Sequence, residues 1–339
     1  MKVCIYGMGA IGCWLAVKLS QAGHEVITIA QGQTREVIAR EGITLHEGTV
    51  THNVNVACYE DPAELPHQDY VFVTVKSHSM ASVARKIAPL MQKDTVAVSL
   101  QNGIPWWFCR GLSAPFSQRI LTSIDPDGSI LRAMPAESVI GGVVHVSCIR
   151  EALAVSRLHK GNVLVLGEAL GNSSERNERL VALLNHAGID ARISPKIHQD
   201  VWYKLWGNMT MNPIGTLTGA TTDRILNDEL LFPFVSNVIR EAERIGNALN
   251  INPQQSVEEL LTLAKSMGAM TTSMLQDSRA KRPLEIDALL SSIHELGIIT
   301  AIETPFLSSL LGLVKLYAME NGLYPSHTTH DLPASDSPL

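Results

Sequence analysis

Cysteine is scarce in this chain of 339 residues. The five present (Cys4, Cys13, Cys58, Cys109 and Cys148) are odd in number and scattered, with no Cys-x-x-Cys pair. That excludes a disulfide framework or thiolate zinc site and suits reduced core thiols. None of the twelve histidines falls in a His-Glu-x-x-His pattern, so no metal ligands are expected. Positive charge is also in deficit: 27 Lys and Arg stand against 33 Asp and Glu, a formal charge of −6. With no basic stripe interleaved with aromatics, a nucleic-acid platform is not expected, and Arg279, Lys281 and Arg282 read as a solvated helix end. Long apolar runs are missing too. The most apolar late segment, 296–318, is broken by Glu303, Pro305 and Lys315, which rules against a membrane span. The first residues already form a strand pattern rather than a charged leader, so a soluble, cytoplasmic protein is expected.

What is present is ordinary globular composition, 45% hydrophobic and 18% charged, at a length that suits two domains. The first half alternates strand-like and helix-like patterns. Short buried runs at 3–6, 25–30, 70–75 and 95–100 read as strands, with a hairpin insertion over 43–58 around Glu47-Gly48. Further strands are expected at 120–123, 139–146, 153–158, 163–166 and 191–194. After Pro195 helical periodicity takes over, at 198–212, 227–249, 257–273, 286–296 and 308–320, with Pro253, Pro283 and Pro305 at the breaks. The expected fold is α/β: a Rossmann-type doubly wound sheet in residues 1–195, an all-helical domain in 196–320, and a flexible tail in 321–339. The helical half carries enough apolar surface for a homodimer.

GMGAIG, residues Gly7, Met8, Gly9, Ala10, Ile11 and Gly12, is a Gly-x-Gly-x-x-Gly set directly after a strand and opening a helix. Such a loop turns tightly at the first glycine, admits a pyrophosphate at the second, and packs helix on strand at the third. The phosphates then meet free N–H groups and the positive end of the helix dipole. A dinucleotide-binding site that uses NAD usually has Asp or Glu about 20 residues on. Here Gln31 holds that place, with Arg35 and Lys76 as cations able to meet a 2′-phosphate. NADP(H) is favoured, and NAD(H) stays open.

Lys76 and Asn102 each follow a buried strand at its carboxyl end, where open α/β sheets bind ligands; Ser147 is expected just past another. In KLWGNMTMNPIG, Lys204, Asn208 and Asn212 recur every fourth residue within an apolar helix. Four residues advance about 40° beyond one turn, so the three side chains share a stripe. A buried ammonium must be paired, and Asn is a poor interior helix residue. Either solvent or something polar lies against that stripe. Ser273 is expected near the end of one helix and Glu285 in the first turn of the next.

In order and spacing, GMGAIG, VTVK, QNG, KLWGNMTMNP, SMLQD and LEID resemble the ketopantoate reductase (2-dehydropantoate 2-reductase) family, over about residues 1–320. The resemblance implies an NADP-dependent oxidoreductase that takes a small 2-oxo acid in pantothenate biosynthesis. It implies that Lys204 binds substrate and donates a proton, that Asn208, Asn212 and Ser273 hold the substrate, and that Asn102 is shared by substrate and cofactor. Lys76, Ser147 and Glu285 fall at positions lining the NADPH site. Gln31 departs from the arginine common in the family, Met270 stands where a polar contact can occur, and Trp106-Trp107 are expected to add bulk beside the site. A reductase of another branched 2-oxo acid and a non-catalytic nucleotide sensor are the alternatives.

Overall fold

The computed structural model describes residues 1–171 and 174–325. Ten strands among these residues form one sheet: β1 Lys2–Tyr6, β2 Glu25–Ile29, β3 Ile43–Glu47, β4 Val50–Val54, β5 Ala57–Tyr59, β6 Tyr70–Val73, β7 Val96–Ser99, β8 Val139–Ala152, β9 Val155–Glu168 and β10 Asp190–Ile193. Their order is β5-β2-β1-β6-β7-β8-β9-β3-β4, with β10 also on β9. From β2 the chain forms β3 and β4 at the far edge beside β9, returns as β5 next to β2, and then enters β6 on the other side of β1. That reversal places a ligand crevice beyond the carboxyl ends of β1 and β6.

The central strands pair in parallel, while β8–β9 and β3–β4 are antiparallel. The expected strands at 139–146 and 153–158 extend instead into two fourteen-residue partners, bulged at Ser147. β9 is long enough to take β3 along its first half and β10 along its second. No strand forms at 120–123. There Thr122 and Ser123 give their backbone N–H and hydroxyl groups to the Glu295 carboxylate, at 2.6–3.0 Å, so the segment is satisfied without a ladder.

Helix α1 (Ala10–Gln21) is enclosed by the curled sheet, packing on β2, β3, β4, β8 and β9. This explains why Cys13–Val17 is buried all round rather than on one stripe. Then come α2 (Gly32–Glu41), α3 (Met80–Ala84), α4 (Ser129–Ala133) and α5 (Glu175–His186). The second half is helical: α6 (Ile197–Thr218), α7 (Thr222–Asn227), α8 (Leu231–Ala248), α9 (Val257–Ser266), α10 (Ser273–Arg279), α11 (Ser292–Ile299) and α12 (Pro305–Glu320).

α6 is the hub. It packs on β8, β9, α7, α8, α10 and α12, so it too is apolar on nearly every side. Trp202 and Trp206 are fully buried, and α8 approaches Trp202 at Gly246, where any Cβ would lie 2.5 Å from the indole nitrogen. Losing the Trp202 ring would cost about 3–5 kcal/mol. One core runs from the β1–β6–β7 face through Trp107 and Phe108 into α6, α8 and α12. A second fills the α1 and α5 side.

Two expected boundaries move. The helix expected at 257–273 stops at Ser266, because Gly268 takes φ +73° and Thr272 caps a new helix by accepting from the Leu275 N–H. Within residues 321–325, expected to fray, Leu323 is buried and its carbonyl accepts from the Leu284 N–H. The rest of the expected tail, 326–339, lies outside the described residues.

Candidate functional site

The glycine loop follows β1 directly. Gly7 has φ +108° and a Cβ there would meet the Val75 backbone nitrogen at 2.9 Å; a Cβ on Gly12 would meet the Gly7 carbonyl at 2.1 Å. Both must be glycine for β1, β6 and α1 to approach each other. Gly9 differs: nothing lies within 4 Å of its Cβ position. It is the N-cap of α1, whose first turn carries no acid and no capping side chain. Open space against uncapped N–H groups suits a pyrophosphate. Met8 is buried beneath the loop, while Ala10 and Ile11 are half-buried, so Ala10, Ile11 and Gly9 offer the accessible backbone. Gln31 is exposed at the N-cap of α2, with no acid in that helix's first turn and Arg35 exposed one turn on.

Lys204 points from α6 to the strand ends. Its Nζ donates to the Asn102 Oδ1 at 2.7 Å and to the Val144 carbonyl at 2.7 Å. That carbonyl is accessible because β8 pairs with β7 only over residues 139–141, leaving its edge free beyond. An ammonium has three N–H donors, so one remains. Because Asn102 must accept here, its NH₂ group is free to donate elsewhere. Asn102 is held in turn by its neighbours: the Ile104 N–H donates to the Ala288 carbonyl at 2.8 Å, and Gly103 packs so tightly on Ala288 that a Cβ would lie 2.3 Å from that carbonyl. Burial pulls the Lys204 pKa down to about 8, and the Glu285 carboxylate acts against it.

One and two turns along, the stripe continues differently. Asn212 is only 5% exposed and Asn208 half-buried, yet neither carboxamide bonds to another side chain or backbone group among the described residues. Neither carboxamide is sealed inside the protein, so both are open to a polar partner. α10 packs against α6 with Thr272 beside Gly215, which brings Ser273 to the same end of the stripe. Ser273 opens α10 rather than ending a helix, and it is exposed. Glu285 lies just before the helical turn that starts at Ile286.

The loop after β6 is clamped by two acids from the second half. The Ser77 N–H donates to Glu285 Oε1 at 2.9 Å. The Lys76 ammonium donates to Asp277 Oδ2, while Arg282 Nε takes Asp277 Oδ1 at 2.8 Å. Asp277 was not among the candidate residues; the signal was its place in the SMLQD motif. His145 was also passed over. It follows Val144 on β8, and partial burial, then the Lys204 and Arg192 charges, lowers its pKa to about 4.

Some expectations need correcting. Ser147 is not past a strand end but at the β8 bulge opposite Lys160, and it is exposed. The adjacent Cys148 Sγ donates to the Ala10 carbonyl at 3.5 Å, so the bulge flanks the glycine loop. Trp106 and Trp107 do not add bulk beside the site. Trp106 Nε1 donates to the Met134 carbonyl and Trp107 packs on Gly141 and His198, both inside the core. The Met270 backbone exchanges hydrogen bonds with Thr222, at 3.0 and 3.1 Å, pinning α7 to the loop after α9.

No helix of the described residues is long and apolar enough to cross a membrane, and they hold no cluster suited to a metal ion. Residues 3–171 match the family described as "Ketopantoate reductase PanE/ApbA", and residues 196–318 match its C-terminal counterpart. The chain is 37% identical, over 96% of its length and all of the relative's, to a 2-dehydropantoate 2-reductase of Mesorhizobium japonicum. Its fold superposes with a TM-score of 0.91 on a protein of Ralstonia solanacearum MolK2 assigned to the ketopantoate reductases, at 42% identity over 95% of this chain and 99% of that one. For the 2-dehydropantoate 2-reductase of Methylococcus capsulatus the values are 0.81, 25%, 95% and 98%. The chain is an oxidoreductase and belongs to the ketopantoate reductase family.

Proposed function

We propose that this chain reduces 2-dehydropantoate (ketopantoate) to (R)-pantoate in pantothenate biosynthesis, in the cytoplasm, with NADPH the favoured reductant. The observation that carries the reading is the Lys204 ammonium, held by the Asn102 amide and the Val144 carbonyl with one donor to spare.

The glycine loop would hold the pyrophosphate, with Gly9 leaving room and the α1 N-terminus supplying N–H groups. Lys76, Asn102, Ser147 and Glu285 complete the cofactor site, and Gln31 lies at its adenosine end. Bound there, the nicotinamide supplies the hydride. The protein's task is to orient the ketone and manage charge on its oxygen. The free N–H of Lys204 polarises that oxygen, then passes its proton as negative charge develops. An alkoxide is far more basic than an amine, so the transfer runs downhill. A pKa near 8 leaves the amine largely protonated at neutral pH while making it a better acid than an ordinary lysine. Asn208 and Asn212 pair with the carboxylate and hydroxyl of the acid, and Ser273 contacts it from α10.

NADPH is favoured because the end of β2 carries no carboxylate to repel a 2′-phosphate and Arg35 stands one turn away. Following the absorbance of NADPH with ketopantoate, then repeating with NADH, tests reaction, substrate and reductant together. Rapid oxidation with NADPH is expected. Equal kcat/KM with NADH would remove the cofactor preference, and no turnover of ketopantoate with either would remove the substrate.

A further inference from the structure

Two consecutive residues after β6 each engage a carboxylate from the helical half. Lys76 pairs with Asp277 and the Ser77 N–H with Glu285. Asp277 is 6% exposed and its other oxygen accepts from Arg282 Nε, while the Arg282 backbone N–H donates to the Asp277 carbonyl at 2.9 Å. Lys204 lies within the influence of Glu285. Two acids and three cations thus occupy one small region, and a fixed pairing is needed for each acid to do one job.

We propose that Asp277 is a positioning residue: by holding the Lys76 ammonium it leaves the Glu285 carboxylate to Ser77 and Lys204. This rests on Lys204 being the proton donor, as argued above. Lys76 precedes the residue whose N–H sits on Glu285, so an ammonium released from Asp277 has that second carboxylate within the same turn. Lys76 would then compete for the charge that supports the protonated Lys204, and the third N–H would be offered by a weaker cation at neutral pH. The other titratable groups here are His78, which faces Glu285, Lys76 and Asp277, and His145, which faces Lys204. Both have pKa values lowered by burial first, so both are neutral above pH 7 and neither supplies a competing charge.

The test compares the wild type with Asp277→Asn, Asp277→Glu, Lys76→Met and the double variant Lys76→Met/Asp277→Asn. Two quantities are followed against pH: kcat with NADPH and ketopantoate, and the rate of acetic anhydride labelling of Lys204 read by mass spectrometry. Labelling needs no turnover, so it separates a failure of this inference from a failure of the proposed reaction. Asp277→Asn is expected to move the Lys204 titration down by about 0.5–1 pH unit, a roughly threefold to tenfold fall in the ratio of protonated to neutral amine at a given pH. Asp277→Glu should restore the wild-type position. So should the double variant, because the competing ammonium is gone; a merely structural Asp277 would not be rescued by removing Lys76. Unmoved titration in Asp277→Asn, or no return in the double variant, overturns the proposal. Should Asp277→Asn not fold, Asp277→Glu and Lys76→Met must both keep the wild-type titration, and a downward shift in either overturns it.

Discussion

The glycine loop and the lysine stripe of α6 both lie toward the carboxyl ends of the central strands, but they are built by different means. The loop is made of backbone. Gly7 and Gly12 are jammed against Val75 and each other, and Gly9 faces open space, all within six residues of chain. The stripe is made of side chains whose meaning depends on partners 60 and 102 residues away, at Val144 and Asn102. A backbone site is specified by the absence of side chains and tolerates little else. A side-chain site is specified by what folds against it, so one helix can be core on most faces and reactive on one.

That contrast can be broken at either end. The largest effect is expected at Lys204→Ala: kcat should fall by roughly 10²–10⁴-fold, as for loss of a positioned general acid, while fluorescence titration shows NADPH still binding. Unchanged turnover would dismiss the assigned donor. Next come the two glycines. Gly12→Ala forces a Cβ to 2.1 Å from the Gly7 carbonyl and should destabilise the fold by about 1–3 kcal/mol, seen as a lower Tm. Gly9→Val, facing open space, should leave Tm nearly unchanged yet weaken the dinucleotide at least tenfold. If both variants melt early, the loop's division into packing and binding glycines is wrong.

A third comparison uses pH. With Lys204 as the proposed proton donor and its pKa at about 8, kcat in the reductive direction should decline as pH rises through 8, with the reverse reaction gaining. The same shift has a stability consequence of definite sign. Because the folded pKa lies below the ordinary lysine value of about 10.4, the unfolded chain binds more protons between the two. This group therefore adds stability as pH rises across that window and withholds it below 8. The smallest effect is expected at Asn208→Ala, where one hydrogen bond to a charged substrate is lost. KM for ketopantoate should rise about tenfold with kcat less affected. A change in kcat alone would move Asn208 from binding to chemistry.

Much of this was legible along the chain because it is local. The strand before GMGAIG, the strand ends at Lys76 and Asn102, and the four-residue spacing of Lys204, Asn208 and Asn212 each depend on a few neighbours. Ser273 and Ser147 were misplaced relative to their elements for a common reason. A helix break at Gly268 and a strand that continues through a bulge are decided by caps and by a partner strand, which periodicity alone does not reveal. Sequence gives Trp106 and Trp107 only proximity along the chain to Asn102, whereas Gly141 leaves room for the Trp107 ring beneath β8 and the Met134 carbonyl takes the Trp106 N–H. Asp277 carries no signal beyond its place in the SMLQD motif, since an acid on an exposed-looking helix has many fates.

The residue order by itself determined that a Gly-x-Gly-x-x-Gly turn joins the first strand to a helix and that an ammonium and two amides share one helical stripe, because chirality, helix pitch and the steric freedom of glycine act over a few residues. Only tertiary structure decided where that stripe points. The free edge of β8 offers a carbonyl and Ala288 packs on the Asn102 loop, while Asp277 takes the Lys76 ammonium and Glu285 the Ser77 N–H. Charges and hydrogen bonds act through space, so their balance exists only once distant segments are brought together.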